Sequence, residues 1–436
     1  MSDYIQEQDV ILRKLKIPQL NPMQEEAIPS IERVKNTILL SPTGTGKTLA
    51  FLLPIIKNLD IDCKEVQALI LVPSRELAIQ IEQVIRSMGS GFKVNAVYGG
   101  RAISKDKIEL KRPPAILVGT PGRIEDHFRS NRFSREYIQT LVLDEFDKSL
   151  ETGFESQMKA IVKQLPNLKK RILTSATQGI EIPEFVGLHK PVVISYLDAA
   201  TSKLVIKTII SPSKNKLKSL LNLLNYLGNQ PGIVFCNLRE SVQEVSDFLH
   251  KNNISHGCFS GGMEQKDRER ALIKFRNGTS QVIVATDLAA RGIDIPELKY
   301  IIHFEMPRME QEFIHRNGRT ARVDAKGTAY VLRWEKEYEP NFIKDAAIEN
   351  IDSVGKRKSQ YWQTLFISGG RKDKISKGDI AGLFFKQGNL TKDQLGVIEL
   401  KQDCAFVAVP VSEAADLVAR LNNSRLKKKK VRITIV

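Results

Sequence analysis

Short apolar runs alternate with amphipathic stretches from about residue 20 to about residue 340. Residues 37–40, 68–72, 115–118, 140–143 and 171–174 are brief and largely apolar. Runs of that kind predict strands of a parallel sheet covered by helices. The series pauses across residues 190–202 and restarts at 232–235, 281–285, 300–303 and 328–332. The pattern therefore predicts two α/β domains of similar size, 1–200 and 203–345.

A basic polar stretch around residues 355–359 suits a linker, taken as 346–364. The segment 365–436 has its own rhythm: a strand at 365–368, a helix at 378–385, strands at 397–400 and 405–409, a helix at 413–421 and a strand at 431–436. That βαββαβ order predicts a small α+β module.

Composition narrows the function. No run approaches the roughly 18 apolar residues that span a bilayer, and the first residues, Met-Ser-Asp-Tyr-Ile-Gln-Glu-Gln, lack the pattern of a secretory signal. Four cysteines (Cys63, Cys236, Cys258, Cys404) form no C-x-x-C pair. The expectation is a cytoplasmic chain with reduced thiols and no membrane partner. A net charge of +16 points to a polyanion, with nucleic acid favoured over anionic lipid. A generally basic soluble protein would carry the same charge.

Three strings carry the chemistry. Ser41-Pro-Thr-Gly-Thr-Gly-Lys-Thr48 follows a strand and opens an apolar helix, so loop amides and the helix N-terminus point at phosphate. Thr43, Gly44, Thr45 and Gly46 form the cradle, Lys47 reaches the β- and γ-phosphates, and Thr48 supplies a hydroxyl to Mg²⁺. Asp144-Glu-Phe-Asp147 ends a strand; alone its acids could be solvated surface, but with a phosphate loop upstream Asp144 reads as a ligand for Mg²⁺, with Glu145 within reach of the attacking water. Arg319 and Arg322 follow a helix expected over 309–316. They read as arginine fingers on a transferring phosphoryl group, or as cations closing a surface helix.

With these in place, the chain resembles the DEAD-box helicases of superfamily 2 over about residues 20–335. Asn21-Pro-Met-Gln24 is similar to the Q motif, which implies that Gln24 reads adenine. Pro73-Ser-Arg-Glu-Leu-Ala78, Gly99-Gly100 and Thr120-Pro-Gly-Arg123 resemble RNA-gripping motifs, and Ser175-Ala-Thr177 the motif linking hydrolysis to unwinding. Val234-Phe-Cys-Asn237, Gln265 with Arg268, Ala285-Thr-Asp287, Ala290-Arg-Gly-Ile-Asp294 and the arginine string follow in order. The resemblance implies two RecA-like domains using ATP and Mg²⁺. Gly292 and Asp294 approach the nucleotide, and Asp147 bonds with Ser175, Thr177 and His315. Pro73, Arg75, Gly99, Gly100, Thr120, Arg123, Gln265, Arg268 and Thr286 hold one RNA strand by its backbone, which positions without reading sequence. Phe146 stands where the family has alanine, and Asn317 and Ala321 where it has isoleucine and glycine. Lys16-Ile17 replaces the usual Gly-aromatic pair, leaving Tyr4 as the single aromatic upstream of Gln24.

Residues 366–436 hold 14 Lys or Arg against 7 Asp or Glu. Phe366 and Phe406 match the stacking positions of an RNA-recognition module in part, and are equally suited to a small core. Asp373-Lys-Ile-Ser-Lys-Gly-Asp-Ile-Ala-Gly382 more closely resembles the C-terminal domain of DbpA-type helicases. That implies docking on structured ribosomal RNA, with Arg371, Lys374, Lys377 and the lysines at 427–430 as the grip. The implied protein is a monomeric, RNA-stimulated ATPase that unwinds short duplexes during large-subunit assembly. The rivals are an ATP-gated RNA clamp, a general RNA chaperone without productive unwinding, and a DNA helicase of the same superfamily.

Overall fold

The computed structural model describes residues 8–151, 153–177, 181–197, 204–290, 298–320, 327–344, 346–351 and 359–436. Its first sheet contains seven parallel strands: β1 (Asn36–Leu40), β2 (Ala68–Leu71), β3 (Val94–Val97), β4 (Ile116–Gly119), β5 (Thr140–Leu143), β6 (Lys170–Ser175) and β7 (Val192–Ser195). They lie in the order β3-β4-β2-β5-β6-β1-β7. Every residue of β2 and β4 is buried. Alternate residues serve two cores: Ala68 and Ile70 pack on one face, Leu69 and Leu71 on the other. Continuous apolar runs in the sequence are the signature of that two-sided burial.

The site follows from register. Leu40 pairs with Ser175 and Leu143 with Leu173, so β1, β6 and β5 end side by side. The segments leaving those three strands emerge at the carboxyl edge of the sheet, where α/β folds bind ligands.

The second sheet repeats the design with β8 (Leu204–Ser211), β9 (Gly232–Cys236), β10 (His256–Phe259), β11 (Val282–Thr286), β12 (Tyr300–His303), β13 (Gly327–Trp334) and β14 (Ala347–Ile348). Its order is β10-β11-β9-β12-β13-β8-β14, all parallel. Both sheets are RecA-like.

The C-terminal module is an antiparallel sheet of β15 (Trp362–Ile367), β16 (Ile398–Leu400), β17 (Ala405–Pro410) and β20 (Ile433–Ile435), in the order β16-β17-β15-β20. Helices Lys377–Lys386 and Val411–Leu421 cover one face, completing βαββαβ. A separate hairpin, β18 (Arg425–Leu426) and β19 (Lys429–Lys430), carries the lysine run. Lys427 turns it at φ 54°. The run is thus a structured ribbon, held by Lys427–Asp379 and Lys429–Asp373 pairs at 2.9 and 2.8 Å. Among the described residues, no helix is long and apolar enough to cross a membrane.

Candidate nucleotide and RNA site

The loop between β1 and helix Lys47–Lys57 turns on two glycines in the left-handed region, Gly44 at φ 87° and Gly46 at φ 84°. It is stitched from inside. The Ser41 hydroxyl donates to Thr45 Oγ1 at 2.8 Å, and Thr45 Oγ1 donates to the Pro42 carbonyl at 2.9 Å. The Lys47 ammonium folds back on the carbonyls of Ser41 and, at 2.9 Å, Pro42. A lysine spending its N–H groups on its own loop is placed for an anion over the same loop.

Gln24 locks this loop to the preceding helix, Pro22–Arg33. Its Nε2 donates to the Gly46 carbonyl at 3.1 Å, while its Oε1 accepts from the Asn21 amide at 3.1 Å. Asn21 caps that helix and donates through Nδ2 to the Thr45 carbonyl at 2.8 Å. A Cβ on Gly46 would lie 2.4 Å from Gln24 Nε2, so glycine is required there twice over. Beyond these bonds, a primary amide retains a second N–H and a second lone pair.

Across the strand ends, Asp144 is buried at 3% exposure. The Thr174 hydroxyl donates to its carboxylate and accepts from the Glu145 amide at 3.1 Å. Burial foremost, then the neighbouring Glu145 charge, raise the Asp144 carboxyl to about 6, against the Thr174 hydrogen bond and Lys47. Glu145 adopts φ 48°, and its Oε2 is buried without a hydrogen-bond partner. Two adjacent carboxylates, one with an orphaned oxygen and one pressed toward protonation, form a donor set that fits a hard divalent cation.

The left-handed turn at Glu145 also settles Phe146. Its ring, 2% exposed, sits in the core with Leu143, Phe128 and Val186. The ring that replaces the family's alanine thus points into the protein. Asp147 accepts from Thr177 Oγ1 at 3.1 Å, and the Ser175 hydroxyl donates to the Thr177 carbonyl at 3.0 Å.

Within the first domain, several residues read as RNA-gripping lie around Gly99 and Gly100. Gly100, at φ 84°, lets Arg75 approach so closely that a Cβ would meet its Nη1 at 2.5 Å. Arg123 is 7% exposed, and its guanidinium donates to the carbonyls of Tyr98, at 3.1 Å, and Arg101. The fully buried Asp106 binds Arg123, Arg101 and His127 at 3.2, 3.2 and 3.1 Å. Arg123 therefore pins the Gly99–Gly100 loop with its hydrogen-bonding groups turned inward. Thr120, 8% exposed, starts helix Pro121–Arg129 beside it. Pro73 lies just beyond β2.

In the second sheet, the organising residue is one that sequence reading passed over. Arg316, 1% exposed, grips Asp287 with Nε and Nη2 at 2.7 and 2.6 Å, and donates to the Glu305 carbonyl and Asn237 Oδ1, both at 2.7 Å. It ties together the segments after β9, β11 and β12. Next to it, Asn317 Oδ1 lies 2.9 Å from Nε2 of the buried His303. Burial, then the Arg316 charge, lower that imidazole to about 3, so it is neutral. The helix carrying His315 runs Glu310–Asn317, one residue later than expected. Thr286 ends β11, and Arg268 donates to the Ala289 carbonyl at 3.0 Å. Arg319 lies among the described residues; Arg322, Gly292, Asp294 and the Gln265 side chain lie outside them.

On the C-terminal module, Arg371, Lys374, Lys377, Lys427 and Lys428 are exposed on loops, a helix start and the hairpin. Hydrogen bonds from Lys429, then Gly370, lower the Asp373 carboxyl, and bonds from Ser376, then Lys427, bring Asp379 down to about 2. Both acids stay charged and hold the hairpin to the rim.

Comparison with known proteins agrees with this arrangement. Residues 21–185 match the DEAD/DEAH box helicase family, 215–324 the helicase conserved C-terminal domain, and 364–435 the DbpA RNA binding domain. The ATP-dependent RNA helicase DbpA of Bacillus subtilis is 30% identical, over 94% of this chain and 93% of the relative. DbpA of Escherichia coli is 31% identical, over 98% and 96%. Among solved structures, S. cerevisiae Dbp5 bound to RNA and ADP BeF3 aligns with a TM-score of 0.67 at 25% identity, over 76% of this chain and 88% of that one. Mss116p bound to ssRNA and AMP-PNP gives 0.68 at 26%, over 76% and 73%. A phosphate loop and a paired-acid turn on the two strands flanking β6, two RecA-like sheets and a third RNA-binding module converge: the chain belongs to the DEAD-box ATP-dependent RNA helicases, RNA-dependent ATPases, with a DbpA-type RNA-binding domain.

Proposed function

We propose that this helicase uses Mg²⁺ and ATP to open short RNA duplexes beside structured ribosomal RNA, as a cytoplasmic monomer acting in large-subunit assembly. The observation that carries the catalytic part is the Thr174 bridge between Asp144 and Glu145 at the strand ends facing the phosphate loop. The DbpA-type match over residues 364–435 supports the ribosomal part.

The loop 43–48 binds the phosphates, with Lys47 exchanging its own carbonyl partners for phosphate oxygens. Gln24 binds adenine with its remaining N–H and lone pair, a donor–acceptor pairing that fits N6 and N7 of the base. Thr48 and Asp144 hold Mg²⁺, which neutralises charge on the transferring phosphoryl. Glu145 positions the attacking water. Arg319 and Arg322 stabilise the transition state, Gly292 and Asp294 contact the nucleotide, and His315 joins Asp147, Ser175 and Thr177 in the coupling set. Pro73, Arg75, Gly99, Gly100, Thr120, Gln265, Arg268 and Thr286 hold one strand by its backbone, with Arg123 holding the Gly99–Gly100 loop in shape. We assign the domains as 1–200, 203–345 and 365–436, with 346–364 as linker. Arg371, Lys374 and Lys377 anchor the RNA, and tethering raises the effective concentration of neighbouring duplex.

Strand displacement from a short duplex joined to a ribosomal hairpin tests this directly. ATP-dependent displacement, absent in Glu145→Gln and faster than on a duplex without the hairpin, is the expected result. ATP-dependent RNA retention without displacement would replace the unwinding reading with a clamp.

A further inference from the structure

Side chains alternate across the strands of the C-terminal module. Leu365 and Ile367 of β15, with Val407 and Val409 of β17, enter the module's own core. Trp362, Thr364 and Phe366, with Phe406 and Ala408, therefore belong to the opposite face. On an RNA-recognition sheet that is the face where bases stack. Phe366 and Phe406 stand opposite each other there, edge to face at 5.6 Å. Yet much of this face is covered: Thr364 is 0% exposed, Ala408 1% and Phe406 6%, with Trp362 and Phe366 partly buried.

The second helicase domain meets it. After helix Gln265–Arg276, Asn277 donates through Nδ2 to Thr364 Oγ1 at 3.3 Å, and the hydroxyls of Thr279 and Thr364 meet at 2.7 Å. Arg276 pairs with Glu399 of β16 at 3.1 Å. Glu399 is opposite Phe406 in the ladder, so this ion pair sits at the aromatic rung. Gly278, at φ 73°, brings bare backbone against Trp362: a Cβ there would lie 3.1 Å from the indole Cδ1. On its other side the indole meets Gly396, where a Cβ would lie 3.1 Å from Cζ3.

We propose that this sheet face is the docking surface for residues 276–280 of the same chain's second helicase domain, and that Phe366 and Phe406 are not a base-stacking platform while it is docked. Hydroxyls, an amide and one ion pair make the bond. Asn277 Oδ1 and Ser280 Oγ are buried there without a hydrogen-bond partner. Such a contact depends on matched geometry more than on apolar area, and a single charge change opens it. Its consequence is orientation: RNA held on the module's rim is carried in a fixed place relative to the second domain. That consequence rests on the module being the RNA anchor.

The chain has two tryptophans, so in a Trp334→Phe background Trp362 alone reports the contact. In the full chain, acrylamide should quench Trp362 weakly, and Glu399→Lys should raise the quenching. Arg276→Glu combined with Glu399→Lys should restore the shielding, which a misfolded variant cannot do. Binding of a ribosomal hairpin should fall about tenfold in Lys374→Glu with Lys428→Glu, and by less than about threefold in Phe366→Ser. Equal quenching in all three forms, or a Phe366→Ser loss as large as that of the lysine variant, would overturn the proposal. If the lysine variant binds normally while the charge swap restores shielding, docking stands and the anchor reading fails.

Discussion

The hydroxyl of Thr174 donates to the carboxylate of Asp144 and accepts the backbone N–H of the next residue, Glu145. One side chain thereby holds the Asp144 carboxylate and the backbone of Glu145, which is in a left-handed conformation. Thr174→Val keeps the shape and removes the bridge. We expect RNA-stimulated ATP turnover to fall about ten- to hundredfold, in line with loss of an orienting partner at a metal site. Thr174→Ser, which keeps the hydroxyl, should recover most of it. Steady-state phosphate release separates the two, provided thermal unfolding is unchanged.

Gly46→Ala tests the lock between the Q motif and the phosphate loop. The substitution forces alanine into a left-handed conformation that costs roughly 1–2 kcal/mol and drives its Cβ to 2.4 Å from Gln24 Nε2. Affinity for a fluorescent ATP analogue should drop about tenfold or more, since about 1.4 kcal/mol is a factor of ten. Unchanged affinity would mean that the Gln24–Gly46 bond is not part of the binding geometry.

Thr174 and Gly46 differ in how far the sequence exposes them. The strand–loop–helix around residues 37–57 and the acids at 144–145 are legible because a buried parallel strand is a continuous apolar run. Strands β3, β7, β8 and β10 break that rule. β3 buries Asn95 against Glu109 at 2.7 Å, β8 carries Lys207 paired with Glu349 at 2.9 Å, and β7 borders the sheet with Val192 and Val193 exposed. Thr174 reveals itself only through the register that sets β5 beside β6, which no local pattern encodes. Phe146 reads as a neighbour of the chemistry until the backbone turn at Glu145 sends it inward. The inward bonds of Arg123 stay hidden because its partner, Asp106, lies on another element. The four lysines at 427–430 read as a charged run because two of them hide their partners, Asp373 and Asp379, far upstream.

Arg316 makes four hydrogen bonds to three groups, one beyond each of three strand ends. Removing it leaves Asp287 and Asn237 without their shared donor, and breaking a buried pair from one side costs roughly 3 kcal/mol. Arg316→Ala should lower the unfolding midpoint of the second domain, followed by Trp334 on β13. Arg316→Lys should recover little, because an ammonium does not reproduce the two-pronged grip on Asp287.

His303 makes the second domain sensitive to acid. Its imidazole is neutral in the folded chain and lowered to about 3, against about 6.5 when unfolded. Below pH 6.5 the unfolded chain takes up a proton that the folded one refuses. Its contribution is therefore fully present above 6.5 and is lost as pH falls toward 3, by at most about 1.4 kcal/mol per pH unit. Urea unfolding followed at Trp334 should show that slope between pH 6 and pH 4. His303→Gln, which keeps a donor for Asn317, should flatten it.

As an RNA-dependent ATPase, the chain should turn over ATP at the strand-end acids only when RNA is held. Phosphate release should therefore be measured without RNA, with poly(A) and with total ribosomal RNA, for the parent chain and Glu145→Gln. Expected are slow turnover alone, strong stimulation by ribosomal RNA beyond that by poly(A), and loss of turnover in Glu145→Gln. Turnover that ignores RNA, or that survives Glu145→Gln, would contradict this expectation.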